Sequence, residues 1–380
     1  MLSKDEIIER VISLAKKKDI EISNILLYEA KLKYFKPFEI ATARVVDEDA
    51  LVLVVESHET DICGIGDGIL PSGDQRHNVI SQLLSVTKSI VGMKLSEAFK
   101  YIIANKETNT YMRIPMSIAI LDAIAKVNKI RYGNLFGKIN KEMVQTDVTI
   151  GIEPLEETIE DAKKALNNGF RAIKLKVGKG GIKKDLERIQ AVYNLIQDDA
   201  SLRIDANQGW TLEEAKKIVK EIERQGVLIE ILEQPLPRDK IEESAELKNY
   251  TEIPIVVDES VRTSADLEKL KNKVDGINLK VWKAGDPIEV FYMGRLAREM
   301  GMIVMIGCSG ETNIGITVDT YLASTIPVDF ADLDSDLLKE DVVSQKITRL
   351  KNGYRILPKH TGLGIETSNL IVSKLKQLFP

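Results

Sequence analysis

Residues 148–334 repeat one hydrophobic and polar pattern. A short apolar segment ends in charged residues, and a charged stretch with helical spacing follows. The apolar segments fall at 148–152, 172–177, 202–205, 229–233, 255–258, 277–280, 303–308 and 329–334. Helical patterns fill 156–168, 183–197, 212–225, 287–300 and 314–324. The charged ends Lys176, Asp205, Glu233, Asp258 and Lys280 recur every 22 to 29 residues. A strand plus its crossover helix needs about 30 residues. Eight strands at this period predict an α/β fold, a (β/α)7β TIM-like barrel with its chemistry at the C-terminal strand ends.

The flanking segments read differently. Ser3-Lys4-Asp5-Glu6 is a capping box opening a helix to about Lys18. Residues 20–30 predict a strand, broken at Lys36-Pro37-Phe38 by a polar loop that runs to about Asp49. Residues 50–56 predict a second strand, with a turn-rich exit at Gly64, Gly66, Gly68 and Pro71. Helices are expected at 79–94, 95–104 and 117–129. Strands followed by helices suggest an α+β capping domain. The tail carries a strand pattern at Tyr354-Arg-Ile-Leu and a final amphipathic helix, and is expected to pack back on the capping domain. The expected division is 1–140 capping domain, 141–345 barrel and 346–380 returning segment.

Composition narrows the function. At 380 residues and 44% hydrophobic, the chain can bury a large core. The net charge of −5, with no basic stripe interleaved with aromatics, gives no reason to expect nucleic acid. No apolar run is long enough to span a bilayer, and no signal peptide is apparent. Cys63 and Cys308 form no paired-cysteine motif, so a reduced, cytoplasmic setting is expected.

Asp205, Glu233 and Asp258 end three successive strands, so they stand side by side at the barrel mouth. Three converging carboxylates repel one another and call for a cation; oxygen-only ligands favour Mg²⁺ or Mn²⁺. Lys174 and Lys176 share one strand face. Lys280 ends the sixth strand, opposite the second in a ring of eight, so a substrate on the barrel axis has a lysine on each side. Partly desolvated beside a cation, a lysine becomes a usable base near neutral pH. Asp332 and Asp334 form an anionic wall on the eighth strand, suited to a substrate ammonium. His58, His77 and His360 lie outside the barrel strands, so no histidine base is expected.

With these residues placed, the chain resembles the enolase superfamily, its muconate-lactonizing subgroup, and within that the dipeptide epimerases. The resemblance runs from Lys36-Pro-Phe to Gly362-Leu-Gly364. It rests on Lys174-Leu-Lys176-Val-Gly, Asp205-Ala-Asn-Gln-Gly-Trp, Glu233-Gln-Pro, Asp258-Glu-Ser and Asn278-Leu-Lys280. Asp332-Leu-Asp334 is similar to the Asp-x-Asp motif of dipeptide epimerases, and Gly307-Cys-Ser-Gly-Glu311-Thr to the family's strand-seven loop. Asp67 departs from the usual Glu, and Trp282 from the usual Met.

The resemblance implies a Mg²⁺-dependent isomerase acting on dipeptides, by 1,1-proton transfer at the α-carbon of the C-terminal residue through an enediolate. Asp205, Glu233 and Asp258 would bind the metal. Lys174 would add charge to the substrate carboxylate, and Lys176 and Lys280 would act as opposed bases. Asp332 and Asp334 would take the ammonium, with Cys308 and Glu311 lining the substrate. Arg44, in the loop expected to close the site, makes L-Ala-L-Glu the first guess; Trp282 favours a hydrophobic dipeptide instead. Partners beyond this substrate are expected only as copies in a homo-oligomer. The rival readings are a cycloisomerase or o-succinylbenzoate synthase, a Schiff-base aldolase and a non-catalytic metal-dependent binding protein. None of these needs the whole set of metal, opposed lysines and ammonium site.

Overall fold

The computed structural model describes residues 2–105 and 109–379. Helix α1 (Lys4–Lys17) opens on the expected capping box, in which Ser3 Oγ accepts from Glu6 N–H at 3.2 Å and Glu6 accepts from Ser3 N–H at 2.7 Å. Strands β1 (Asn24–Glu39), β2 (Arg44–Glu56) and β3 (Gly64–Leu70) form an antiparallel sheet. Helices α2 (Asp74–Ile90), α3 (Leu95–Ala104) and α4 (Thr110–Val127) follow.

Three expectations are corrected here. The break at Lys36-Pro37-Phe38 is a bulge within a longer hairpin. The pairing steps from Lys33↔Asp47 to Phe38↔Val45, and Pro37, which has no N–H to give, sits in the excess. The loop that was expected to reach Asp49 is therefore confined to residues 40–43. The turn-rich glycines are strand β3. They alternate, so one bare face meets α4: a Cβ at Gly64 would lie 2.0 Å from Ala119 O, and one at Gly66 2.2 Å from Pro115 O. The final helix is absent. Residues 367–374 form two short 3₁₀ turns, and β15 (Lys376–Phe379) pairs antiparallel with β1. The segment is mostly exposed, so a helix there would have no core to face, whereas the free edge of β1 offers backbone hydrogen bonds.

The barrel strands are β5 (Val148–Ile150), β6 (Ala172–Lys176), β7 (Ser201–Asp205), β8 (Ile231–Glu233), β9 (Ile255–Val257), β10 (Gly276–Leu279), β11 (Ile303–Gly307) and β12 (Phe330–Asp332). They are parallel and paired in sequence order. Between β5 and β12, Asp147 N–H bonds to Ala331 O at 3.2 Å. The strands are buried along nearly their whole length, as parallel strands covered by helices must be. Their outer layer is α5 (Leu155–Asn167), α6 (Ile182–Ile196), α7 (Leu212–Arg224), α8 (Ile241–Lys248), α9 (Ser264–Leu270), α10 (Val281–Ala284), α11 (Pro287–Glu299) and α12 (Asn313–Thr325). A small antiparallel sheet joins β4 (Met143–Gln145), ahead of the barrel strands, to β14 (Tyr354–Ile356) and β13 (Arg349–Lys351), which follow them. Among the described residues no helix is long and apolar enough to cross a membrane.

The β1–β2 hairpin leans over the barrel mouth. Lys339 is fully buried and joins Glu48 of β2, at 2.6 Å, to the carbonyl of Gly310 beyond β11. On the other side, Ile152 N–H bonds to Glu39 O at 2.7 Å, and Lys179 pairs with Glu39 at 2.6 Å.

Candidate active site

The strand register explains why the charged ends converge. Lys176 pairs with Asp205 across β6 and β7, and Asp205 with Glu233 across β7 and β8. Asp258 and Lys280 lie one residue past β9 and β10. Lys174, Lys176, Asp205, Glu233, Asp258, Lys280, Asp332 and Asp334 are all buried. Charges are tolerated there only when paired, and all but Asp334 find a charged partner. Lys174 Nζ lies 2.9 Å from Glu233, 2.5 Å from Asp332 and 3.7 Å from Asp205. Lys176 Nζ lies 2.5 Å from Asp205, and Lys280 Nζ 2.8 Å from Asp258.

A second acidic wall is built at the ends of β5, β11 and β12. Thr149 N–H donates to Asp334 Oδ2 at 2.6 Å, and Cys308 Sγ lies 3.7 Å from Asp334 Oδ1. Cys308, Asp332 and Asp334 bring donor atoms within 4.8 Å of one another. Asp205, Glu233 and Asp258 are not drawn so close, because lysine ammoniums stand against all three. Their chemistry still fits a hard divalent ion: three buried carboxylates that offer oxygen donors only.

Residues 157–370 match the model of the enolase C-terminal domain-like family. The chain belongs to that family. The L-Ala-D/L-Glu epimerase of Thermotoga maritima is 30% identical over 348 residues, spanning 89% of this chain and 99% of that protein. The substrate-liganded L-Ala-D/L-Glu epimerase of Bacillus subtilis superposes with a TM-score of 0.85 at 26% identity, covering 91% of this chain and 99% of the other. The Enterococcus faecalis dipeptide epimerase, in complex with Mg and L-Leu-L-Tyr, superposes with a TM-score of 0.84 at 27% identity, over 91% and 100%. Like the epimerases it matches, this member of the enolase superfamily is an isomerase.

Its electrostatics follow from this crowding of buried charge. Burial and the charge of Asp205 push Glu233 up. Burial opposes the charge on Lys174 and Lys280, but the carboxylates outweigh it and hold both lysines well above their ordinary value. Burial and the neighbouring Asp332 raise Asp334 to about 7. Asp332 goes the other way: burial is outweighed by Lys174, Lys280 and Lys176, and it stays ionised.

Two residues of this enolase-superfamily site escaped the sequence reading. Asn278 Nδ2 donates to Glu233 Oε1 at 2.7 Å, and Lys283 bonds to the Asp258 carboxylate, Asp258 O and Asn278 O. The spacing Asn278-Leu-Lys280 puts Asn278 on the face of Lys280, so it was readable; Lys283 arrives only through the turn of α10. Glu311 is buried beyond β11 and accepts from Ser309 N–H at 2.5 Å. Arg44 is exposed at the start of β2, 3.6 Å from Glu39.

Proposed function

We propose that the chain is a dipeptide epimerase. It inverts the α-carbon of the C-terminal residue of an L,L-dipeptide by two-base 1,1-proton transfer through an enediolate. The observation that carries this reading is the placement of Lys176 at the end of β6 and Lys280 one residue past β10, four strands apart in the barrel, with Asp332 at the end of β12. A cycloisomerase or o-succinylbenzoate synthase needs no ammonium wall, and a binding protein needs no opposed bases.

Asp205, Glu233 and Asp258 would hold Mg²⁺, which as a Lewis acid makes the α-proton of a bound carboxylate more acidic. Asn278 and Lys174 hold Glu233 in place. Lys174 meets the negative charge that grows on the substrate carboxylate. Lys176 takes the α-proton from one face, and Lys280 returns a proton to the other. Asp332 and Asp334 bind the ammonium and fix the dipeptide's direction. A cation held by those carboxylates would leave less of their charge to stabilise the protonated lysines, and so would favour Lys176 and Lys280 as bases. The first guess for the pair of residues is L-Ala-L-Glu, through Arg44.

The test is a screen of L,L-dipeptides in D₂O with Mg²⁺, read by mass spectrometry. One deuterium in the C-terminal residue, with the D epimer accumulating, is the expected result. Absence of exchange from every dipeptide would overturn the reading.

A further inference from the structure

Asp332-Leu333-Asp334 leaves the barrel ladder at the point where it has two side chains to aim. Pairing with β11 ends at Gly307↔Asp332, so Leu333 and Asp334 lie past the last ladder partner. Buried side chains hold both peptide groups around Leu333 instead. Leu333 N–H donates to Thr146 Oγ1 at 2.8 Å. Leu333 O accepts from Arg355 Nε at 2.8 Å. The two peptide planes set φ and ψ at Leu333. With them they set the directions in which the Asp332 and Asp334 side chains leave the chain.

Arg355 is an expensive residue to place here. It is the middle residue of β14 and is fully buried. Its other nitrogens go to Asp336, which is buried too: Nη2 to Oδ1, and Nη1 to Oδ2 at 3.3 Å. One guanidinium therefore holds both ends of 333–336, the turn that follows the acidic wall. The Asp336 carboxylate is fixed in its own right, by Asn313 Nδ2 at 2.7 Å from the start of α12 and by Lys346 Nζ at 3.1 Å.

A buried ion pair gains little stability over apolar side chains of the same volume. Stability alone is thus a poor reason for Arg355. Orientation is a better one. A planar fork delivers Nε and both Nη groups in fixed directions, which a lysine cannot do.

Thr146 belongs to the same frame. Its N–H donates to Gly353 O at 2.9 Å, in the turn between β13 and β14. Both pins on Leu333 are therefore set by the segment that returns after the barrel, Arg355 directly and Thr146 through Gly353. The Asp334 carboxylate is then finished from the barrel side, by Thr149 N–H at 2.6 Å and Cys308 Sγ at 3.7 Å.

We propose that Arg355 is the positioning residue of the acidic wall: through the Leu333 carbonyl, the returning segment sets where Asp332 and Asp334 hold the substrate ammonium. This rests on the dipeptide reading above. Arg355 acts through the peptide bond and not by touching the substrate.

The experiment uses the Mg²⁺-loaded enzyme with L-Ala-L-Glu and L-Ala-L-Leu. Arg355→Lys keeps the charge and loses the fork. The expected result is a KM raised about tenfold with kcat within about threefold of wild type, the mark of binding lost equally in the ground and transition states. A merely structural role lowers the melting temperature and the active fraction, and so kcat, and leaves the KM of the folded molecules where it was. In an Asp334→Asn background the same substitution should change KM by less than about twofold, because residues that act through one another do not add. Mg²⁺ affinity by calorimetry should stay at its wild-type value. A folded Arg355→Lys enzyme with the wild-type KM would overturn the proposal, and so would an effect undiminished in the Asp334→Asn background. Where Arg355→Lys fails to fold, Thr146→Val, which removes the other pin, is read in the same way: a raised KM with kcat kept supports the proposal, and an unchanged KM overturns it. Wild-type exchange of dipeptides with no change of KM in the variants sinks the positioning role alone; exchange with no dipeptide sinks the epimerase reading and the role with it.

Discussion

Lys176 at the end of β6 and Lys280 just past β10 are each tied to a different carboxylate, Asp205 at 2.5 Å and Asp258 at 2.8 Å. The two lysines are thus anchored independently, and removing one leaves the other in place.

This arrangement makes a prediction about exchange. Lys176→Ala and Lys280→Ala should each lower epimerisation by roughly 10²–10⁴-fold, the usual worth of a positioned base. Each variant should still exchange the α-proton of one epimer with D₂O, and the two should favour opposite epimers. Proton NMR of both epimers reads this directly. Near wild-type epimerisation in either variant would remove that lysine from the mechanism.

The carboxylates predict metal binding that can be read without turnover. Calorimetry should show one Mg²⁺ bound per chain, and Asp205→Asn, Glu233→Gln and Asp258→Asn should each weaken it by at least about tenfold. Bound metal should also stabilise the fold by mass action, by about 2.7 kcal/mol at one hundred times Kd. Unaltered affinity in all three variants would place the ion elsewhere.

The buried acids predict a pH dependence of stability. Burial raises Glu311 from 4.5 to about 7 and Asp67 from 3.8 to about 6. Between these limits the folded protein holds protons that the unfolded chain has released, so stability falls as pH rises. Their contribution is fully present below the unfolded values near 4 and is lost as pH passes from about 6 to about 7. Urea titrations from pH 4.5 to 7.5 should show that slope, and Glu311→Gln should flatten it. A wild-type stability that rises through this window by as much as the variant's would exclude the effect.

Much of this was legible because a barrel writes its chemistry with a period. The carboxylates and lysines stand where apolar strands end, and a charged residue there needs a reason. What was missed depended on packing. The glycines at 64, 66 and 68 signal a turn in composition but a strand face in alternation, and only α4 lying against them decides which. The tail has helical spacing but no core to bury against, so edge pairing with β1 wins. Arg355 gave no signal at all. It stands in the strand pattern of the tail, where an arginine differs from its neighbours only through what the end of β12 brings opposite it.

The last prediction concerns the epimerised side chain. Arg44 begins β2, beside the loop that covers the β5 and β6 side of the mouth, and its guanidinium lies 3.6 Å from Glu39. Glu39 is shared with Lys179 at 2.6 Å, so it can give up Arg44 and still keep a partner. A glutamate side chain on the substrate would compete for Arg44 in the same exposed setting, where a charge pair is worth about 0.2–1 kcal/mol, rising as the loop excludes water. Arg44→Ala should therefore lower kcat/KM for L-Ala-L-Glu relative to L-Ala-L-Leu by a few-fold at low salt, and less at high salt, where exposed charges are screened. Glu39→Gln should move the same ratio the other way, because it releases the arginine. If the ratio is unchanged by Arg44→Ala at low salt, the arginine plays no part in selectivity, and the hydrophobic walls beside Trp282 are left as the basis for choosing among neutral side chains.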